Sequence, residues 1–178
     1  MPKVSPAHLD ARRQQILDAA RVRFATHGFA RTSMTDLVEA SELSVGAIYR
    51  YFKSKDEIIT AICVQASLGL PATLTPASIL DFLEHLRALE RESGHARLVA
   101  QIYAEAAVSP ELASLVREQL GGLRGAVVAL LPDHEPAEAG RIAEAFVAIC
   151  HGYGQQLAVR GDVAPEPFAA AIVAVIGV

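Results

Sequence analysis

The sequence gathers hydrogen-bond donors in one short stretch, residues 44–58, which reads SVGAIYRYFKSKDEI. Lys53, Lys55 and the open amides at the start of the helix that follows could each donate a hydrogen bond to a phosphate oxygen. Arg50 could donate two parallel hydrogen bonds to the edge of a guanine base. Recognition of a nucleic acid is therefore the chemistry that this stretch favours.

The sequence lacks the short motifs of hydrolytic and metal-dependent enzymes. The six histidines include no HExxH motif, none pairs with a cysteine at metal-ligand spacing, and no GxSxG motif or phosphate-binding loop occurs. The neighbouring pairs Glu84-His85 and His134-Glu135 would not face each other on a helix, because facing residues are three or four positions apart. We expect neither an enzyme nor a metal or cofactor site.

Composition points to a helical protein. Of the 178 residues 52% are hydrophobic but only 6% are aromatic, there is no tryptophan, and alanine dominates, which is typical of closely packed helices. No apolar run approaches the roughly 18 to 20 residues of a membrane span, and the N-terminus lacks a signal-peptide pattern, so we expect a cytoplasmic protein with no membrane partner. Cys63 and Cys150, each in an apolar helical stretch, are expected to be reduced core residues.

The charge is unevenly distributed along the chain. The net charge is -4, yet residues 1–60 contain nine Lys or Arg against seven Asp or Glu, which leaves -6 for the remainder. An acidic average argues mildly against a nucleic-acid partner, but the N-terminal third is electrostatically different from the rest.

Proline, glycine and capping residues mark most helix boundaries and predict an all-α protein of about nine helices. The first four are expected from Ser5-Pro6 to Gly28, after Thr32-Ser33, from Val45 to about Phe52, and from Ser54 through Ile62 to about Leu68. A long fourth helix would join a three-helix domain at residues 1–54 to a larger domain at residues 55–178. Five longer helices are expected there, starting near Pro76, His95, Pro110, Pro136 and Pro165.

The three short N-terminal helices, with a tight turn before the third, match a helix-turn-helix arrangement. If residues 45–52 are helical, Ile48 and Phe52 point together into the core, because they are four positions apart. The other side chains of this helix then lie on its outward sides. Gly46 removes side-chain bulk and would let the backbone approach a phosphate or base.

Residues Ile16 to Ile62 resemble the DNA-binding domain of the TetR family of bacterial transcriptional regulators. The matching features are the end of the first helix, the Thr-Ser entry to the second, the turn and the recognition helix. The residues that carry the resemblance are Phe24, Gly28, Phe29, Thr32, Ser33, Ser44, Gly46, Tyr49, Phe52 and Lys55. Two positions depart from the pattern. Glu42 stands where the family usually has a glycine in the turn, and Tyr51 stands where many members have histidine.

The resemblance implies a role for each residue at the predicted interface. Ser44 and Gly46 belong to the turn and to the start of the recognition helix, and Val45, Ala47 and Arg50 remain as base readers. The implied phosphate contacts are Thr32, Ser33, Tyr49, Tyr51, Lys53 and Lys55. For Arg50 the alternative is a phosphate contact or a solvated side chain, and for Tyr49 it is core packing with the hydroxyl at the rim.

The resemblance also implies a homodimer formed by the last two helices in a four-helix bundle. Residues 143–159 and 168–178 carry more apolar surface than one small domain can hide, and their Ala and Gly residues allow close helix contact. Two alternatives remain, namely that both helices are internal to the monomer, or that residues 168–178 lie on a membrane surface.

The resemblance further implies an inducer pocket among the middle helices. Inward-facing candidates are Cys63, Phe82, Leu86, Gln101, Ile102, Tyr103, His151 and Tyr153, each of which could equally be an ordinary core residue. Because this lining is mostly apolar, a small apolar or neutral inducer is favoured. We therefore expect a repressor released from palindromic operator DNA by such a molecule. The alternative is a DNA-binding dimer without a small-molecule inducer, controlled by a protein partner or constitutive.

Overall fold

The computed structural model describes residues 6–65 and 69–177, with side chains from residue 8 onward. The chain divides into two compact units, Met1–Ala66 and Ser67–Val178. Within the described residues all regular elements are helices, nine in number, which confirms the all-α prediction. The predicted contributions of Ser5 and Leu68 to helix ends, and the C-terminal Val178, lie outside the described residues. The domain boundary between residues 54 and 55 stays a prediction.

The N-terminal unit contains α1 (Pro6–His27), α2 (Met34–Ser41), α3 (Val45–Tyr51) and α4 (Lys55–Gln65). These bounds agree with the predicted starts. The starts of α2, α3 and α4 each have a serine cap. Ser33 forms a capping box with Asp36, and the Ser44 hydroxyl accepts the Ala47 amide at 3.2 Å. The buried core of the unit comprises Ile16, Leu17, Ala20, Phe24, Leu37, Ile48, Phe52, Ile58, Ile59 and Ile62.

The spacing of Ser54 and Glu57 in SKDE is that of a capping box, and the cap of α4 differs from such a box in one detail. The Ser54 hydroxyl accepts the Glu57 amide at 3.2 Å, as expected. The Glu57 carboxylate, however, accepts the amide of Lys53 at 2.7 Å instead of reaching the Ser54 amide. This hydrogen bond links the α3–α4 turn to the first turn of α4. It also occupies the Lys53 amide, which is then no longer available to a phosphate.

The turn between α2 and α3 has a left-handed residue at Glu42, with φ 55° and ψ 27°. Glu42 is the one described non-glycine residue with a positive φ, and its amide donates to the Glu39 carbonyl to close α2. A side chain with a Cβ costs about 1 kcal/mol or more in this conformation, whereas glycine does not. The expected cost of having glutamate at the usual glycine position is therefore present in the structure.

Replacing Glu42 with glycine should stabilise the N-terminal unit by about 1 kcal/mol, because it relieves the left-handed strain. Chemical denaturation followed by circular dichroism would measure the shift. The matched control is Glu39→Gly, which removes the same charge from an exposed helical position and should destabilise by a similar amount. If both glycine variants lose stability, Glu42 carries no strain that matters.

The C-terminal unit contains α5 (Pro76–Ser93), α6 (His95–Ala106), α7 (Pro110–Ala129), α8 (Pro136–Arg160) and α9 (Glu166–Ile176). The helix α8 packs against α6, α7 and α9, while α5 packs against α9, so one continuous apolar core lies among all five. Its largest buried side chains are Phe82, Leu83, Leu86, Phe146, Tyr153, Leu157 and Ile172. No helix within the described residues is both long enough and apolar enough to span a membrane.

A buried carboxylate organises the junction between α5 and α6. Gly94, with φ 67°, ends α5 and precedes α6 without offering a side-chain cap. Glu90, only 5% exposed, supplies the cap instead, since its Oε2 accepts the amides of Ala96 at 2.7 Å and Arg97 at 3.2 Å. Its Oε1 pairs with Arg97 Nε at 2.8 Å. A negative charge at a helix N-terminus is stabilising because it neutralises open amides and the helix dipole.

Candidate nucleic-acid interface

One side of the short helix α3 packs into the core of the N-terminal unit, and the other side is exposed to solvent. Ile48 is fully buried and Phe52 is nearly so, as their spacing predicts. Val45 is 58% exposed and Tyr49 is 47% exposed, which is unusual for such large apolar or aromatic groups. Gly46 and Arg50 are exposed as well, and Ala47 is half-buried. The exposed side of α3 therefore presents a methyl-bearing, an aromatic and a cationic group together.

A cleft of about 370 Å³ separates α3 from the start of α1. From the turn and α3 it is lined by residues that the sequence had singled out, namely Ser44, Ala47, Arg50 and the half-buried Tyr51. Its lining also includes Glu42, the turn residue that the sequence had singled out. The remaining lining residues, which the sequence had not singled out, are Leu43 and, from α1, His8, Leu9 and Arg12. The signal for Arg12 was the basic pair in ARRQQ, but nothing local shows that it meets α3.

The hydroxyls of two expected phosphate contacts, just before α2, already donate hydrogen bonds within the protein. Thr32 is 2% exposed and its hydroxyl donates to the Gly28 carbonyl at 2.8 Å, which corrects the prediction of a phosphate donor there. Ser33 is exposed, but its hydroxyl and its amide each donate to Asp36 Oδ2 at 2.7 Å. The hydrogen bonds to the Ser33 backbone and hydroxyl, with Arg23 close by, lower the pKa of Asp36.

The two lysines before α4 differ in availability. Lys53 has an exposed side chain and no ion pair among the described residues. Lys55 is half-buried, and its ammonium donates to the Phe29 carbonyl at 2.6 Å and lies 4.3 Å from the centre of the Phe29 ring. Lys55 therefore holds Phe29, in the segment after α1, through these two contacts. Because two of its three ammonium donors remain, its phosphate contact stays a prediction.

Ion pairing separates the cations of this unit into two groups. Two arginines of α1 form ion pairs, Arg21 with Asp18 and Arg23 with Asp36. The remaining cations in the described part of the unit make no ion pair with a carboxylate. They are Arg12, Arg13, Arg31, Arg50, Lys53 and Lys55. Their side chains are therefore available to an anionic partner, which agrees with the small positive excess of the N-terminal sequence.

Most of the expected inducer contacts are buried side chains, and their contact with a ligand stays a prediction. Phe82, Leu86 and Ile102 are buried, and Phe82 stacks on Phe146 with 6.3 Å between ring centres. Tyr153 is fully buried, its hydroxyl donates to the Val163 carbonyl at 3.1 Å, and burial raises its pKa to about 12. Cys63 lies in α4 and is buried in the N-terminal unit, whereas the other candidates belong to the C-terminal unit.

Two of the candidates, Tyr103 on α6 and His151 on α8, meet as a polar pair. The Tyr103 hydroxyl and His151 Nε2 are 2.7 Å apart, and their ring centres are 4.8 Å apart in an edge-to-face arrangement. Burial lowers the pKa of His151, which favours its neutral form. Gln101, half-buried, is on the same helix as Tyr103. No group of three or more potential metal ligands occurs within the described part of the chain.

The last two helices leave small and apolar side chains exposed. On α9 the exposed residues include Ala170, Ala171, Ala174 and Val175. On α8 they include Ala148, Gly152 and Val159, the last of which is 84% exposed. We name these seven residues the α8–α9 surface. Small side chains of this kind allow another helix to approach closely.

The fold and the α3 surface match a known family of proteins. A family model described as "Bacterial regulatory proteins, tetR family" matches residues 16–62, and one described as "BetI-type transcriptional repressor, C-terminal" matches residues 78–176, more than half of the chain. The HTH-type transcriptional repressor Rv1474c of Mycobacterium tuberculosis is 35% identical over 88 residues, covering 49% of this chain and 47% of that protein. The chain spans less than two thirds of the length of the curated relatives that it matches.

Solved structures show the same fold over nearly the whole chain. Salmonella enterica GusR superimposes with a TM-score of 0.71 at 23% identity, covering 99% of this chain and 100% of that one. The SmeT–triclosan complex gives a TM-score of 0.71 at 20% identity, covering 92% and 90%. The family is one of transcriptional regulators and not of enzymes, as the missing catalytic motifs predict. Both halves of the sequence and the all-α fold agree: the chain belongs to the TetR family of bacterial transcriptional regulators, with a BetI-type C-terminal region.

Proposed function

We propose that this protein is a homodimeric transcriptional regulator that binds operator DNA through α3. The observation that carries the proposal is the exposed side of α3, where Val45, Tyr49 and Arg50 stand clear of a core anchored by Ile48. A helix with this division can enter the major groove while its buried side stays packed. The surrounding cations without ion pairs supply the charge that the phosphate backbone requires.

Within the proposed interface, Arg50 reads a base while Tyr49, Tyr51 and Lys53 contact phosphates. Arg50 makes no ion pair within the described residues, so its guanidinium is available for two parallel hydrogen bonds to guanine. Val45 and Ala47 can contact a thymine methyl group. Ser33, Ser44 and Gly46 remain near this surface as supporting positions, and Thr32 is left out because it is buried.

The test of this function is selection of bound duplexes from random DNA, followed by binding assays with Arg50→Ala. The variant should bind the selected operator about 10- to 100-fold more weakly for each half-site, because one bidentate base contact is worth roughly 1 to 3 kcal/mol. Its preference at one base position should relax, whereas its non-specific affinity should change far less. The control is Arg117→Ala, at an exposed position of α7. Equal affinity and unchanged preference in Arg50→Ala would remove Arg50 as a base reader.

We propose the α8–α9 surface as the dimer interface. Two copies would pair these helices in a four-helix bundle, and two α3 helices would then read half-sites about 34 to 36 Å apart. The exposed alanines and valines support this assignment, since they give a second copy an apolar surface to cover. The two-fold symmetry of such a dimer also predicts that the selected duplexes will be palindromic.

For control by a ligand, we propose a small, largely apolar inducer whose binding releases the protein from operator DNA. SmeT, whose structure contains triclosan, supports a molecule of this class in a protein of the same fold. The Tyr103–His151 pair would be the polar contact in an otherwise apolar site. The inducer must favour the form that does not bind DNA, because equal affinity for both forms shifts nothing.

Regulation without an inducer is the second candidate. Phe82, Leu86, Ile102 and Tyr153 are buried in one continuous core, which favours a dimer that a protein partner controls or that acts constitutively. Repression is proposed as the mode of action because the M. tuberculosis relative is described as a repressor. Screening metabolites and drugs for release of the selected duplex separates the two candidates, since only the ligand-controlled regulator would respond.

A further inference from the structure

Arg12, on α1, lies outside the motif that identifies the DNA-binding domain, yet it shares a cleft with the recognition helix. The cleft of about 370 Å³ has Arg12 on the α1 side and Ser44, Ala47 and Arg50 on the α3 side. A single phosphodiester group is smaller than this volume. We infer that the cleft receives one backbone phosphate of the operator, held by Arg12 from α1 while α3 occupies the adjacent groove.

Arg12 has no carboxylate partner within the part of the chain that the structure describes. Its Nη1 donates to Gln15 Oε1 at 2.8 Å, which is a neutral acceptor, and no carboxylate pairs with it among the described residues. Glu42 also lines the cleft but forms no ion pair with Arg12 or Arg50. Because a guanidinium carries five N–H donors, Arg12 keeps donors for a phosphate after its bond to Gln15 is made.

A second hydrogen bond holds Arg12 in position. Gln15 Nε2 donates to the carbonyl of Ser41, at the end of α2, at 2.7 Å. Gln15 thus links the arginine on α1 to the last turn of the helix that precedes the α2–α3 turn. The Arg12 side chain is half-buried along this contact, so less side-chain freedom is lost when it binds a phosphate. Gln15 is a positioning residue for Arg12 in this arrangement.

Arg21 is the natural comparison, because it belongs to the same helix but has a different environment. Its Nη1 pairs with Asp18 Oδ1 at 3.0 Å and its Nη2 donates to Gln65 Oε1 at 2.8 Å. Arg21 does not line the cleft. Replacing either arginine with glutamine changes the net charge equally, so a difference between the two variants reports a local contact and not the overall charge of the unit.

The inference rests on the proposed function, and its test is the salt dependence of DNA binding by the full chain. The probe is the tightest duplex that the wild-type protein selects from random DNA. Arg12→Gln should bind it roughly tenfold more weakly near 0.1 M salt. The slope of log Kd against log salt should fall by about 0.9 for each phosphate that Arg12 no longer neutralises, or about 1.8 for the two protomers of a dimer. Arg12→Lys should restore the slope, since it restores the charge.

Base preference is the readout that separates this contact from base reading. Arg12→Gln should weaken all sequences alike, whereas Arg50→Ala should relax one position. A wild-type slope in Arg12→Gln, or an equal fall in slope in Arg21→Gln, would overturn the assignment of Arg12 while leaving the proposed function intact. Failure of the wild-type protein to select any duplex would overturn the proposed function and this contact with it. Circular dichroism of each variant shows that the fold is retained.

Discussion

Replacing Ala174 with glutamate should convert the proposed dimer into monomers and abolish tight operator binding. Ala174 is exposed on α9, within the α8–α9 surface, so the substitution leaves the fold of the monomer undisturbed. In the proposed dimer the carboxylate would be buried without a partner. An uncompensated charge at an interface costs several kcal/mol, so the dimer dissociation constant should rise on the order of 1000-fold.

Sedimentation equilibrium measures this change directly, and gel-shift titration measures its consequence. Operator affinity should fall steeply, because a monomer engages one half-site and loses the linkage between two. The matched control is Ala104→Glu, the same change at an exposed position of α6, which should remain dimeric. Survival of the dimer in Ala174→Glu would show that α9 is not at the interface, and an equal loss in Ala104→Glu would point to a general effect of charge.

Replacing Glu90 with alanine should destabilise the C-terminal unit by about 2 to 3 kcal/mol. The change removes a cap and two hydrogen bonds to a charged acceptor, and it leaves the buried Ala96 amide without its acceptor. Glu90→Gln keeps a carbonyl oxygen for these amides and should lose only about 1 kcal/mol. Arg97, whose side chain is 47% exposed, can return to solvent in both variants, so it adds little to the cost.

Denaturant unfolding measures the stability, and amide hydrogen exchange localises the loss. The Ala96 and Arg97 amides should exchange faster in Glu90→Ala than in the wild-type protein, because local opening at the start of α6 becomes easier. Glu92→Ala, at an exposed position in the same last turn of α5, should change stability by less than about 0.5 kcal/mol. If the two alanine variants are equally stable, Glu90 does not cap α6 in solution.

Local signals explain why so much of the fold was predictable. The starts of α2, α3, α5 and α7 are each set by a serine or threonine cap within three residues of the amides that it serves. The inward direction of Ile48 and Phe52 follows from their four-residue spacing alone. The unfavourable backbone conformation at Glu42 could also be anticipated, because a turn that usually holds glycine was occupied by a residue with a Cβ.

The chemical type of the binding residues was predictable from the sequence, but whether their hydrogen-bond donors are free was not. Thr32 has the right chemistry for a phosphate, yet its hydroxyl is buried on the Gly28 carbonyl. Lys55 is cationic as expected, but it braces Phe29 from 26 residues away. Whether a donor is free depends on which groups the fold brings beside it. Sequence spacing cannot give this information for residues outside the same helix.

The helices, the uneven distribution of charge and the outward side of α3 follow from the sequence alone, since each depends on neighbours within a few residues. Helix packing sets which polar groups are satisfied and which remain for a partner. It paired Tyr103 with His151 across 48 positions, buried Glu90 under the start of α6, and set Arg12 beside the recognition helix. These contacts join separate helices, and only packing of the apolar sides fixes the distances between them.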